Sequence, residues 1–308
     1  MEAELSDPTP AHGNPASQQR YSLVSQLVET CPEALGEEIA LVGSSGWGAA
    51  GDDYDLDLEF WVEHMPTPTS CLDWLWQVGA EEFLVQSYLP GELVLVTHYQ
   101  DVWLDLTWRT YQAVDDTLRK ILLGETVDRE HFLQAWNVFR ARSLRTTGRL
   151  ENWQRRLAFY PEVVQERIIR VSSDSWRFPH HLEMLWTLAA HHELFSLDRW
   201  LSAHLQNGLR ILFAVNRQWE PDWKHLAPAS QLLAQAPPQL NERLQHVYEE
   251  TQPERRITLV LNLVLEILTL VRPPNDVSEA IQNIQDSLHR HVPFPEPAPD
   301  LVSAKVDP

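Results

Sequence analysis

Gly43-Ser44 stands twelve residues ahead of Asp55-Leu56-Asp57. Together these residues offer what is needed to hold a nucleoside triphosphate: a glycine turn against its phosphates, and carboxylates for the metal ions that accompany it. Two carboxylates two residues apart on a strand share one face and repel each other, so one must take a proton unless a cation lies between them. Hard divalent ions with oxygen ligands, bridging to substrate phosphates, resolve that conflict, and a pair of magnesium ions suits it best. A third acid would complete such a centre. The segment Val102-Trp103-Leu104-Asp105-Leu106-Thr107 supplies one, because Val102, Leu104 and Leu106 form an apolar face and Asp105 points the other way.

The elements that must position these groups are legible around them. Glu38-Ile39-Ala40-Leu41-Val42 is apolar and β-prone and runs into Gly43-Ser44-Ser45-Gly46-Trp47-Gly48, which reads as strand, tight turn and helix start. Glycine there lets backbone and phosphate approach closely, and the amides that follow point at the anion. The next strand alternates, with Asp55, Asp57 and Glu59 on one face and Leu56, Leu58, Phe60 and Val62 on the other. Glu59 reads as an exposed acid at the strand end rather than as part of the site. A helix over 21–32 leads in, and a short helix over 72–78 follows the break at 66–70. Strands near 82–88 and 93–98 meet at Pro90-Gly91. Residues 20–110 therefore form a small mixed β-sheet with helices. From 111 to 292 the pattern is almost wholly helical, including 131–145, 151–160, 180–194 and 198–216, with proline breaks at Pro161, Pro179 and Pro221. Residues 1–19 read as a flexible tail and 293–308, rich in Pro and Asp, as a disordered one. The fold class is α+β.

In this setting the residues resemble a known family, the nucleotidyltransferases related to DNA polymerase β. Its signature is Gly-Ser or Gly-Gly, a spacer, Asp-x-Asp, then an acid on a separate strand. Gly43, Ser44, Gly48, Asp55, Asp57 and Asp105 match it, with the spacing of the small bacterial members. Trp47 sits where those members often carry arginine, and Tyr54 replaces the serine that commonly precedes the first aspartate. The resemblance implies a nucleotidyltransferase domain followed by an all-α domain. It further implies metal-dependent transfer of a nucleoside monophosphate, AMP from ATP, to a hydroxyl of a small-molecule acceptor, an aminoglycoside-like compound among the candidates. Asp55 and Asp57 would hold the metals, Gly43 and Ser44 would cradle the distal phosphates, and Asp105 would ligate the metal beside the acceptor or take its proton.

A second resemblance covers Leu209 to Trp219, with Pro221 and Lys224. It is similar to the helix-plus-lysine segment of bacterial aminoglycoside nucleotidyltransferases, in which a basic residue from the helical domain reaches the triphosphate. Lys224, one of three lysines in the chain, is therefore a candidate phosphate contact, with Arg217 and Arg210 behind it. Two other readings belong to different classes. One is transfer to a protein side chain, as in toxin–antitoxin nucleotidyltransferases, and the other is a nucleotide-binding module without turnover. Arg199-Trp200-Leu201-Ser202-Ala203-His204 matches the Arg-x4-His motif of helical ribonuclease domains, but the motif is short. His180-His181 and His191-His192, eleven apart, fall on nearly one helix face and read as amphipathic residues rather than as a metal site.

Composition narrows the partners. With 44 acidic against 24 basic residues the net charge is −20, which repels a nucleic-acid backbone and disfavours a polymerase or an RNA-end-adding enzyme. A small acceptor fits, and a cationic one would be attracted. No apolar run reaches the roughly 18–20 residues of a membrane span. The nearest, Ile257 to Val271, contains Asn262 and Glu266. The amino terminus lacks the apolar segment of a signal peptide. Two cysteines are too few for a disulfide framework or a thiolate zinc site, so the chain reads as cytoplasmic.

Overall fold

The computed structural model of the protein describes residues 14–48, 50 and 55–291. The expected tail over 293–308 and Tyr54 lie outside the described residues, as does the tail up to residue 13. Helix α1 (Pro15–Thr30) leads into β1 (Glu38–Leu41), α2 (Gly43–Gly46), β2 (Leu56–Val62), α3 (Pro68–Gln77) and the strands β3 (Glu81–Leu89), β4 (Glu92–Tyr99) and β5 (Val102–Thr110). Next come α4 (Tyr111–Leu122), α5 (Arg129–Arg140), β6 (Arg142–Arg145), α6 (Arg149–Leu157), α7 (Glu162–Arg177), α8 (Pro179–Ala190) and α9 (Leu194–Val215). A 3-10 turn (Trp223–His225) precedes α10 (Leu226–Ser230), α11 (Leu240–Glu249), α12 (Pro253–Thr269) and α13 (Ser278–His291). None of these helices is long and apolar enough to cross a membrane.

The strands form one mixed sheet in the order β3-β4-β5-β2-β1-β6. Among the described residues only β2 and β5 pair in parallel, and they do so with Asp57 opposite Asp105. The alternation in β2 and β5 gives the sheet one apolar face. Leu56, Leu58, Phe60, Leu104, Leu106 and Trp108 pack there with Val24 and Leu27 of α1 and Cys71, Trp74 and Leu75 of α3. Phe60 stacks on Trp108 with ring centroids 4.4 Å apart, and the Trp108 indole donates to the Leu35 carbonyl at 2.7 Å. Each large side chain so buried contributes about 1.5–3 kcal/mol. This face anchors the sheet, and the other is left for polar groups.

Two expectations are corrected here. Residues 14–19 do not continue a tail: Asn14 caps α1 by accepting from the Ser17 amide, Pro15 opens the first turn, and Ser17 and Arg20 are buried. The helix expected over 131–145 ends at Arg140, and Arg142–Arg145 instead adds β6 to the sheet beside β1. Its attachment is made by arginines. The Arg145 guanidinium donates to the carbonyls of Gly36, Val28 and Cys31 at 2.7–2.9 Å, and Arg142 lies over the Tyr21 ring at 3.5 Å.

The chain forms two compact units whose borders differ from a single break at 110. The first spans Met1–Arg167 with Asn216–Ala234, and the second spans Ile168–Val215 with Gln235–Pro308. Within the second, α8, α9, α12 and α13 pack together. His204 lies in that interior, 2% exposed, and its Nδ1 accepts from the Trp176 indole at 2.7 Å. Burial, with His181 nearby, pushes its pKa down to about 4. A neutral, enclosed imidazole is no ribonuclease catalyst, which removes the Arg199–His204 reading. The paired histidines do not share one helix: α8 ends at Ala190, and His192 turns out of it with φ 56°.

Candidate active site

Asp57 and Asp105 face each other across the parallel β2–β5 pair, and Asp55 precedes β2 on the same side. One carboxylate oxygen from each of the three lies within 4.8 Å of the others. Strand pairing explains the closeness of Asp57 and Asp105, since opposed residues in adjacent strands share a face, and Asp55 joins them from just ahead of β2. Burial pushes the Asp57 pKa up to about 6, and the charges of Asp55, Asp105 and Glu59 push the same way while Lys224 opposes them. Asp105 is raised by burial and by Asp55, again against Lys224. Three acids crowded with one nearby lysine form a site short of positive charge. Hard oxygen donors at this spacing fit a magnesium-type ion.

The glycine turn meets these acids directly. The Val42 amide donates to the Asp57 carbonyl at 2.9 Å, which brings the end of β1 alongside the start of β2. Gly43 then adopts φ 58°, and a Cβ at that position would fall on the Asp57 carboxylate oxygen. Only glycine permits so close an approach with that backbone. Ser44 is buried beside it. The Ser45 hydroxyl and the Trp47 indole N–H are buried with no hydrogen-bond partner among the described residues. Gly48, with φ 86°, ends the turn, and its carbonyl accepts from the Asn14 amide. Trp47, at the position where the resembled family often has arginine, is a core residue. It meets Trp136 edge-on at 5.4 Å and His225 at 6.2 Å.

Lys224 belongs to the same compact unit as the sheet, because residues 216–234 return to it. Trp219 anchors that return: it is fully buried, its indole donates to the Leu157 carbonyl at 2.8 Å, and its ring lies 4.6 Å from Tyr160. Arg129 of α5 pairs with Glu220 at 3.3 Å and lies over the Trp223 ring at 4.9 Å. The Asp222 side chain then caps the turn by accepting from the Lys224 amide. The exposed lysine is thus carried on a fixed turn, with its charge felt by Asp57 and Asp105. Arg217 lies in the returning segment at φ 53°, and no contact joins it to the acids among the described residues. Arg210 belongs to α9 of the other unit, so it is not brought to these acids within one unit as Lys224 is.

Near the site, one residue was misread from the sequence and another was missed. Glu59 is buried rather than an exposed strand end: it pairs with Arg109 at 2.9 Å and accepts from the Trp61 indole at 3.1 Å. Its register with Asp57 on β2 was the available signal. His225 is buried against Trp47, and burial and Lys224 lower its pKa while Asp222 and Asp55 oppose that. Its place directly after Lys224 was the only hint.

No protein-family model and no curated protein matches the chain. Among solved structures it is similar to a protein described as nucleotidyltransferase-like from Exiguobacterium sibiricum 255-15, at 13% identity and a TM-score of 0.36, covering 89% of this chain and 78% of that one. At that distance, the functional reading rests on the site's own residues.

Proposed function

We propose that the protein is a metal-dependent nucleotidyltransferase that moves a nucleoside monophosphate, AMP from ATP, to a hydroxyl of a small molecule. The observation that carries this is the meeting of Asp55, Asp57 and Asp105 within 4.8 Å, with the Gly43 backbone against Asp57 and Lys224 beside the group. A divalent ion held by these carboxylates would neutralise the phosphates and stabilise charge as it develops on them.

The chain's own residues supply position and charge. Gly43 and Ser44 let the distal phosphates approach the backbone, and Lys224 offsets their negative charge. Asp55, just ahead of β2, and Asp57 on it would fix the metal-binding oxygens. Asp105 faces the acceptor hydroxyl, whose oxygen forms the new bond to the α-phosphorus as the bond to pyrophosphate breaks. The hydroxyl proton passes to Asp105 or to water. Little covalent work falls to the protein in such a reaction, and alignment with electrostatic stabilisation accounts for most of it. The buried free thiols Cys31 and Cys71 accord with a reducing, cytoplasmic setting.

The test is calorimetric titration of magnesium with a nonhydrolysable ATP analogue into wild type and Asp57→Asn, followed by pyrophosphate release with ATP. Metal-dependent binding in wild type, weakened at least tenfold in the variant, is expected, as is transfer lowered by about three orders of magnitude, the equivalent of about 4 kcal/mol. Triphosphate binding that is equal in the two proteins would overturn the assignment. Binding without turnover for any small acceptor would favour a protein acceptor or a non-catalytic module.

A further inference from the structure

The face of the sheet that carries Asp57 and Asp105 continues past them. Strand pairing sets Asp105 opposite Val96 and Val96 opposite Leu84, while the next rung sets Trp103 opposite His98 and His98 opposite Glu81. All these side chains share the face of the acids. Trp103 precedes Asp105 by two residues on β5, so their Cα atoms are about 7 Å apart. It is 46% exposed, and Leu84 is 59% exposed. The His98 ring meets the Trp103 ring at 5.2 Å, tilted by 58°. Large apolar groups this open are costly to leave in water, and beside a reactive centre they offer a surface that a ligand can cover.

The direction of the reaction says which ligand. Attacking and leaving oxygens lie roughly in line across the transferred phosphorus. In the sheet order β4-β5-β2-β1, the Gly43 turn follows β1 on one side of Asp57, and Asp105 with β4 lies on the other. Pyrophosphate leaving toward Gly43 requires the acceptor to enter over β5 and β4. We propose that Trp103, flanked by His98, Val96 and Leu84, is the platform on which the acceptor's ring rests, and that this acceptor is a hydroxylated ring compound that is neutral or cationic. This rests on the nucleotidyl-transfer reading of the acids.

Charge supports the second half. The carboxylates on this part of the face are Asp105 and Glu81, beside the His98 imidazole, with Asp101 exposed in the adjoining β4–β5 turn. The one guanidinium on the face of β5, Arg109, is already paired with Glu59 and Glu92. An anionic acceptor would meet these carboxylates, while Lys224, the cation whose charge reaches Asp105, is engaged with the phosphates in the nucleotidyl-transfer reading. A protonated amine would meet both the acids and the indole face.

The experiment follows indole N–H signals by NMR in the full-length protein with magnesium and a nonhydrolysable ATP analogue, the Trp103 signal being the one missing in Trp103→Phe. Glucosamine, glucose, glucose 6-phosphate and glycerol are the probes. The Trp103 signal is expected to shift with glucosamine most and glucose next, and not with glucose 6-phosphate or glycerol. The exposed-site variant Leu84→Lys is expected to weaken glucosamine at least fivefold and to admit glucose 6-phosphate. A Trp103 signal silent to both sugars, or equally responsive to the phosphate, overturns the platform. The analogue is titrated in the same sample. A Trp103 response without metal-dependent analogue binding would sink the nucleotidyl-transfer reading while leaving a ring-binding surface, so the two failures are distinct.

Discussion

Glu38 and Asp57 are carboxylates on neighbouring strands of one sheet, and their surroundings treat them in opposite ways. Glu38 is 0% exposed. Burial raises its pKa, yet donors outweigh that and leave it lowered. The Thr146 hydroxyl and the Leu150 amide donate to Oε1 at 2.6 and 3.1 Å, and the Thr147 hydroxyl and amide donate to Oε2 at 2.6 and 2.9 Å. Asp57 has the same burial problem with other acids for neighbours, and its pKa rises to about 6. A buried acid whose oxygens are all engaged ties chain segments together, here β1 to the start of α6. One left short of positive charge suits the cation-holding role proposed for it.

The largest structural effect expected from this contrast is at Glu38. Glu38→Gln replaces one acceptor oxygen with an amino group that faces hydroxyl and amide donors. Hydrogen bonds to a charged group are worth about 1.5–3 kcal/mol each, so a loss of about 3 kcal/mol is expected, read as a lower unfolding midpoint in urea. A change within about 0.5 kcal/mol would mean that the carboxylate does not hold the start of α6.

Asp57 should respond with the opposite sign. Its pKa is raised on folding, so its contribution to stability is fully present below its unfolded value near 3.8 and is lost as the pH rises through about 6. In metal-free protein, Asp57→Asn is therefore expected to be as stable as wild type below pH 4 and more stable well above pH 6, by about 3 kcal/mol. Added magnesium should raise the wild-type unfolding midpoint and leave the variant's unchanged. Equal stability of the two metal-free proteins at pH 8 would remove the contrast with Glu38.

The difference between these acids explains what the sequence could show. Asp55, Asp57 and Asp105 were legible because each stands out against an alternating apolar strand, and the pairing of β2 with β5 only had to bring them together. Glu38 could not be seen as an anchor, since its donors lie more than a hundred residues away at Thr146, Thr147 and Leu150. Strand β6 was hidden for the same reason. Arg142-Ser143-Leu144-Arg145 has no strand alternation, and distant contacts to Tyr21, Val28, Cys31 and Gly36 hold it. The start of α1 was readable in Asn14-Pro15, a cap and a first-turn proline, beneath a polar composition that suggested a tail. Lys224 was found through a resemblance. That its segment returns to the sheet's unit depends on Trp219 and Arg129, whose partners are far apart in the chain.

Glu59 tests whether the contrast is a division or a gradient. It shares the face of Asp57 and adds to the charge that raises it, yet it has the kind of partners that Glu38 has. Arg109 pairs with it at 2.9 Å and also with Glu92 at 2.9 Å. Glu59→Gln keeps an oxygen for the Trp61 indole, and Arg109 keeps Glu92, so the loss should be only about 1 kcal/mol. Pyrophosphate release should stay within about threefold of wild type, since the other three acids are untouched. A loss as large as that at Glu38 would show that Glu92 cannot hold Arg109 alone. A gain in stability above pH 6, as at Asp57, would place Glu59 among the acids that await a cation and extend the site by one residue along β2.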